Sequence, residues 1–276
     1  MEAVVYEQIA ELEDSHWWHV ARQRIIGTVI ERYGPPMLRD AAAPGAVRPR
    51  LCDIGCGAGA LLRDMSARFD VTGVDSSPIA RDLCARAGIR TTDGTLPDGL
   101  PLEPGRFDVV VVADVLEHVE RDAASVRTLA GLLRPGGIIV ATVPANPWMW
   151  SSHDEAAHHF RRYTRGTLRA IFEPGVNGAP GERLPLKREL LSSYNCFLFP
   201  PIALVRGVGR LMSPRGRAGG AGNAGGDGTE QSESDLARVP EPMNSILCGI
   251  FGLERHLLGR VPLPLGVSLI AVYRRV

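Results

Sequence analysis

Asp53 stands two positions before Gly55-Cys56-Gly57-Ala58-Gly59, a run with three alternating glycines that follows the short apolar stretch Leu51-Cys52-Asp53-Ile54. Between a strand and a helix, such a loop lets backbone approach a ligand closely and permits positive φ in a tight turn. The helix start behind it offers unpaired N–H groups to an anion. Twenty residues beyond Gly55, Asp75 closes a second apolar run, Val71-Thr72-Gly73-Val74. A carboxylate there is placed to accept hydrogen bonds from two ribose hydroxyls. The spacing is GxGxG, whereas dinucleotide-binding loops read GxGxxG. A carboxylate at Asp53 is also ill suited to a pyrophosphate and well suited to a ligand bearing an ammonium group. Cys56 reads as a small residue packed under that ligand, not as a nucleophile.

A second group of reactive residues lies further along. His118 sits in Val115-Leu116-Glu117-His118-Val119, and His153, Asp154, His158 and His159 fall within the stretch 148–163. Histidine changes charge near neutral pH, so His118, His153, His158 and His159 are the candidate bases for taking a proton from an acceptor. Trp148, Trp150 and Tyr163 are candidates for an aromatic pocket wall, and Arg161 and Arg162 for holding an anionic acceptor. Trp18, in Trp17-Trp18-His19, is a candidate to close the same pocket from the N-terminal side. Each has an ordinary alternative: loop histidines and arginines are often solvated or cap helices, and indoles often fasten helices to a sheet. His153, His158 and His159 have a conceivable metal-ligand spacing, and Glu117 with His118 is a second conceivable pair for a divalent ion, but no metal is expected.

Positioning these groups requires a particular order of elements. Apolar positions at helical spacing predict helix over 2–33, interrupted at 14–19, and Gly34-Pro35-Pro36 stops it. The Ala/Pro/Gly-rich stretch 41–49 reads as a linker. Strands are predicted at 51–54, 71–75, 89–92, 107–113 and 138–143, with helices between them and a turn at 134–137. The continuous apolar run FDVVVVA at 107–113 is typical of a central parallel strand. Helix is predicted at 164–173 and 242–259, and strand at 184–191 and 267–273. Strands alternating with helices argue for a parallel α/β sheet. The tract 214–235, rich in Gly, Ala, Ser and acidic residues, reads as a disordered loop.

The composition narrows the function classes. Lys+Arg and Asp+Glu are both 31, so no net field draws in nucleic acid, and no nucleic-acid partner is expected. Five scattered cysteines without a CxxC pair argue against a disulfide framework or zinc site. With no basic, then apolar, N-terminal run, the expectation is a cytoplasmic protein without a secretory leader.

The ordered segments DIGCGAG, VTGVDSS, TTDGTLP, FDVVVVADVLEHV and LLRPGGIIVATVP resemble those of class I S-adenosylmethionine-dependent methyltransferases, and most of all the ubiquinone/menaquinone-biosynthesis-like subgroup. The resemblance covers about 48–145. It implies a doubly wound, mostly parallel, seven-stranded Rossmann-like sheet with S-adenosyl-L-methionine as cofactor. Asp53 would lie near the methionine amino group, with Gly55, Cys56, Gly57 and Gly59 under the cofactor. Asp75 would hold the ribose, and Ser76 would lie beside the adenine. Asp93 would approach the adenine amino group, with Gly94 and Thr95 giving backbone contacts. Ala113 and Asp114 would face the methionine end. The stretch 148–163 resembles a WS-x-HD…H-x-RRYT segment of a subset of these enzymes, and Trp17-Trp18-His19 resembles the HWW segment that precedes their core. The expected activity is methylation of a small-molecule acceptor, most readily on oxygen, with carbon or nitrogen and a non-catalytic cofactor-binding protein as alternatives. A nicotinamide-dependent reductase is the reading that the glycine spacing disfavours. Within a single domain the expected parts are a helical lid at 1–36, a core at 48–191 plus 264–276, and an insertion at 192–263. The apolar segment 194–212 of that insertion is expected to cover the pocket, a homodimer partner or a membrane surface.

Overall fold

The computed structural model of the chain describes residues 12–36, 47–176, 181–204, 239–261 and 263–276. The loop expected at 214–235 and the helix expected before residue 12 lie outside these residues. Helix α1 spans Trp17–Tyr33. Then come β1 Arg50–Ile54, α2 Ala60–Met65, β2 Asp70–Val74, α3 Pro78–Arg86 and β3 Thr91–Thr92. They are followed by β4 Phe107–Ala113, a 3₁₀ turn Leu116–His118, α4 Asp122–Leu132 and β5 Leu133–Pro144. The remaining elements are α5 Ser152–Ala156, α6 Arg165–Phe172, β6 Leu186–Tyr194, α7 Glu241–Leu253 and β7 Ser268–Arg275.

The seven strands form one sheet in the order β3-β2-β1-β4-β5-β7-β6, with β7 antiparallel to both its neighbours. The order reverses between β1 and β4, so the loops leaving these two strands border one crevice, the usual ligand position in such sheets. Strand pleating explains the apolar run of β4. Val109 and Val111 enter the core under α1, while Val110 and Val112 enter the core under α4. Ile25, Ile26, Val29 and Ile30 bring α1 onto the first face, and Val126, Leu129 and Ala130 bring α4 onto the second.

Three departures from the sequence expectations have physical reasons. Arg134-Pro135-Gly136-Gly137 is carried inside β5, opposite Asp108 alone, because the register slips between Phe107↔Leu133 and Val109↔Ile138. Gly136, at φ +82°, absorbs that bulge. β6 extends to Tyr194, paired with Ser268, so 192–194 belong to the sheet and not to the insertion. Trp17, Trp18 and His19 do not interrupt the helix; they begin α1. The break falls at Asp14 to His16, where the His16 ring accepts from Trp18 N.

The insertion packs on α1. Asn244 of α7 accepts from Trp17 N at 2.8 Å and donates to Ser15 O at 2.8 Å, while Phe251 meets the Trp17 ring edge-on. Tyr194 and Leu198, from the apolar segment 194–212, are buried in the core of the chain itself, while Phe197 and Leu204 are exposed. Among the described residues no helix is long and apolar enough to cross a membrane. At Gly266 a methyl group would overlap the Tyr194 carbonyl, which the β6–β7 pairing holds in place. Gly266→Ala is therefore expected to cost about 2 kcal/mol, read as a lower urea midpoint at unchanged slope.

Candidate active site

The loop after β1 is tied to the neighbouring strand: Gly55 N and Cys56 N both donate to Val74 O, at 2.7 and 3.1 Å. Gly57 has φ +55° and Gly59 φ +83°, a region that side chains rarely occupy. Asp75, just past β2, braces this loop by accepting from Gly57 N at 3.0 Å and from Ser77 N at 2.9 Å. Burial, partly offset by these two bonds, leaves its carboxyl above the ordinary value. Asp53, the last residue but one of β1, is almost wholly buried, and its Oδ1 finds no hydrogen-bond partner among the described residues. Burial pushes the Asp53 carboxyl up to about 7, with the Arg22 charge opposing and the charges of Glu13 and Asp75 adding.

Two residues that sequence reasoning missed complete this end of the crevice. Arg22 of α1 pairs with Asp114 at 2.5 Å, donates to Ala113 O at 2.8 Å and lies 5.0 Å from the Trp18 ring centroid. The available signal was its i+4 spacing from Trp18, which puts both on one face of α1. Asp114 is held in a left-handed turn, φ +56°, by the Thr142 hydroxyl at 3.1 Å. Glu13 lies over the glycine loop and accepts from Ala58 N and Ala60 N at 3.4 and 3.3 Å. Its carboxyl is raised by burial. A methyl at Gly57 would stand 2.8 Å from Glu13 Oε1. The cavity lined by Glu13, His19, Arg22, Asp53, Gly57 and Ala113 measures about 60 Å³, the space of a few waters and not of a nucleoside.

The donor set fits the expected cofactor. Buried Asp53, its Oδ1 without a partner, would hold an ammonium group; the Arg22 Nη1, which neither Asp114 nor Ala113 O occupies among the described residues, would hold a carboxylate, and Asp75 a ribose diol. The adenine side is shallower. Ser76 and Asp93 are exposed, and Asp93 pairs with Arg81 at 3.0 Å. A methyl at Gly94 would press on Val74 and the Gly99 carbonyl. The expected backbone contact at Thr95 is corrected, because its N–H and C=O are both used in a bridge to Gly99.

The histidines divide. His118, on the turn after β4, has its ring centroid 4.6 Å from that of His159, and His153 lies 6.1 Å from His159. Burial, then the nearby His159, lowers His118 to about 4. His158 is exposed, at a backbone φ of +55°, and among the described residues neither a ring contact nor the converging ligand atoms of Glu117, His118 and His159 include it. Asp154 is fully buried and accepts from Arg162 Nε at 2.7 Å, with His159 Nδ1 at 2.9 Å. Glu117 is buried against this group, and burial together with the Asp114 charge raises its carboxyl well above the usual range. Glu117, His118 and His159 each offer a potential ligand atom within 4.8 Å of the others.

The remaining wall residues are placed differently from expectation. Arg162 is neutralised by Asp154 and donates to Ala145 O, and Arg161 pairs with Asp122 at 2.6 Å. Neither guanidinium is therefore directed at an anionic acceptor. Tyr163 is buried and donates to Asp122 Oδ2 at 2.8 Å, which makes it a core residue and not pocket wall. Trp148 is half exposed against Phe199, and Trp150 Nε1 lies 3.4 Å from Glu155.

Several known proteins are similar to this chain. A family profile described as a methyltransferase domain matches residues 17–174. The ubiquinone biosynthesis O-methyltransferase of Bordetella bronchiseptica is 39% identical over 106 residues, covering 36% of this chain and 44% of that protein. The protein of the same name from Escherichia coli O6:H1 is 29% identical over 166 residues, covering 53% of this chain and 65% of that protein. The chain spans about half the length of the curated relatives it matches. Among solved structures, geranyl diphosphate C-methyltransferase from Streptomyces coelicolor A3(2) shares 16% identity at a TM-score of 0.49, over 87% of this chain and 78% of that one. With a matched domain covering more than half its length, an α/β sheet of the expected order and a glycine loop flanked by Asp53 and Asp75, the chain belongs to the class I S-adenosylmethionine-dependent methyltransferases.

Proposed function

We propose that the chain methylates a hydroxyl group of a small molecule. The observation that carries this reading is the cluster of His118, His153 and His159 in the segments that follow β4 and β5, with His118 near enough to Asp114 for that charge to act on it. A hydroxyl acceptor must lose a proton during transfer, and a histidine within reach is the group to take it. A neutral amine attacks with its own lone pair and can shed its proton afterwards, whereas a hydroxyl is a poor nucleophile until a base takes its proton. The name of the curated relatives, ubiquinone biosynthesis O-methyltransferase, supports oxygen as the acceptor atom.

When bound, S-adenosylmethionine supplies an electrophilic methyl group on a sulfonium. Asp53, Arg22 and Asp75 bind and orient it, α1 excludes water above it, and the histidines receive the proton. Aligning the acceptor and removing its proton is the protein's main task. Incubation with methyl-labelled S-adenosylmethionine and 3,4-dihydroxybenzoate, a simple catechol, tests the reading. A labelled methyl ether supports it; label on ring carbon, or no S-adenosylhomocysteine, counts against it.

In the same reading α1 and the turn before it are a lid, backed by α7. Glu13 holds the helix-start N–H groups that an incoming ligand needs, so cofactor entry has to displace it. Glu13→Gln removes the charge that the helix start favours. It is expected to tighten S-adenosylhomocysteine binding about 3- to 10-fold by raising the open fraction. Calorimetry showing equal or weaker binding would count against the lid.

A further inference from the structure

We propose that Asp154 is a positioning residue that holds His159 by Nδ1–H and so leaves Nε2 as the atom that receives the acceptor's proton. The inference rests on the hydroxyl-methylation reading above and selects one histidine from the cluster.

Asp154 is fully buried, and each of its oxygens is used twice. Oδ1 meets His159 Nδ1 at 2.9 Å and Arg162 Nε at 2.7 Å. Oδ2 accepts from Ser151 N at 2.9 Å and from the Ser151 hydroxyl at 3.2 Å. Burial alone would raise this carboxyl, but the bonds from His159, Arg162 and Ser151 hold it well below the usual carboxylate range. An ionised carboxylate has no proton to give, so the hydrogen bond to His159 has one possible direction: Nδ1–H donates. A neutral His159 is then protonated on Nδ1, with the lone pair on Nε2.

The surroundings separate His159 from its neighbours. The groups facing it are Asp154, Arg162 and His153 from its own segment, and Glu117 and His118 from the turn after β4. His118 bonds to the Ala157 carbonyl and, lowered to about 4, stays neutral at physiological pH. His158, one residue away, is exposed. His159 has an ionised carboxylate in contact with its ring, which is what an imidazolium formed during the reaction needs. In the step, the O–H proton moves to Nε2 and the oxygen keeps the electron pair with which it bonds to the methyl carbon; the S–CH3 bond of bound S-adenosylmethionine would break in the same displacement, its electron pair staying on sulfur as S-adenosylhomocysteine. The imidazolium later returns the proton to solvent.

Two measurements on the full chain test the inference. Nitrogen-15 NMR of the histidine rings needs no acceptor, and it should show His159 of the wild-type chain as the Nδ1–H tautomer. In Asp154→Asn that preference should be lost. A wild-type His159 protonated on Nε2 overturns the inference even if every Asp154 variant fails to fold. The second measurement is kcat/KM against pH with 3,4-dihydroxybenzoate. The wild-type rate should rise with pH through one ionisation, and His159→Gln should remove that limb and lower kcat by ~10²–10⁴. Asp154→Asn should move the limb to lower pH, because the imidazolium loses its counter-charge. Its kcat should fall about 10- to 100-fold, as for other residues that orient a working histidine. Affinity for S-adenosylhomocysteine should stay within a few-fold. If kcat falls while the limb stays where it was, Asp154 merely ties Arg162 into the loop, and the inference fails. If the wild-type chain forms no methyl ether at any pH, the hydroxyl reading fails and takes the proton-accepting role with it; the tautomer then decides the Asp154–His159 contact by itself.

Discussion

Asp75→Ala is expected to weaken S-adenosylmethionine binding by about 2–3 kcal/mol, a loss of ~30- to 150-fold. Two effects add. The ribose diol loses a charged acceptor, and a hydrogen bond to a charged group is worth ~1.5–3 kcal/mol. Gly57 N and Ser77 N lose the oxygens that now hold the glycine loop against the end of β2. Asp75→Asn keeps one acceptor oxygen, so it should lose less, but its amide nitrogen cannot accept from the second of these N–H groups. Calorimetry with S-adenosylhomocysteine on both variants reads the effect, with circular dichroism to show that each is folded. An alanine variant that is folded and binds as tightly as the wild type removes Asp75 from the cofactor site.

The difference between what the sequence shows and what only the structure shows follows the range of the interactions. Apolar runs such as Phe107–Ala113 and the GxGxG loop are local patterns, and they suffice to place Asp53, Asp75 and His118 along one edge of the sheet. Glu13 was not legible, and of Arg22 only its helical face beside Trp18 was, because both reach the site from far along the chain. Arg22 meets Ala113 and Asp114, and Glu13 meets Ala58 and Ala60. No periodicity within α1 specifies those partners. Tyr163 is a different failure. An aromatic residue beside histidines reads as pocket wall, but its hydroxyl finds Asp122 at the start of α4 and draws the ring into the core. His158 and His159 are adjacent and chemically identical. The first, at a left-handed φ, is exposed, and the second lies against Asp154. The turn expected at 134–137 became a bulge because the strand resumes pairing at Ile138, a choice that the Pro-Gly signal does not encode.

Asp53→Asn should stabilise the cofactor-free protein and impair cofactor binding, with both effects set by pH. Burial raises the Asp53 carboxyl from 3.8 to about 7 in the folded chain, against the pull of Arg22. Between these two values the folded chain holds a proton that the unfolded chain has released. The stability from this group is therefore complete below pH ~4 and is lost as pH rises through ~7. A shift of about three units corresponds to ~4 kcal/mol, as an upper figure. Asparagine has no charge to desolvate, and Arg22 keeps Asp114 as its partner. At pH 8 the variant without cofactor should thus be more stable than wild type by about 2 kcal/mol, and at pH 5 the gap should shrink. Binding reverses the order. An ammonium group beside Asp53 favours the carboxylate, so cofactor binding near pH 6 should expel a proton, and wild-type affinity should rise with pH up to about 7. The variant should bind S-adenosylhomocysteine ~2–3 kcal/mol more weakly at pH 8, having lost a charge-assisted bond, with little pH dependence of its own from this position. Thermal melts at pH 5 and 8 with and without S-adenosylhomocysteine test the stability half. Calorimetry in two buffers of different ionisation enthalpy counts the proton. A cofactor-free variant that melts below wild type at pH 8, or wild-type binding near pH 6 without proton release, would show that Asp53 is already ionised in the empty crevice and is not waiting for a cationic partner.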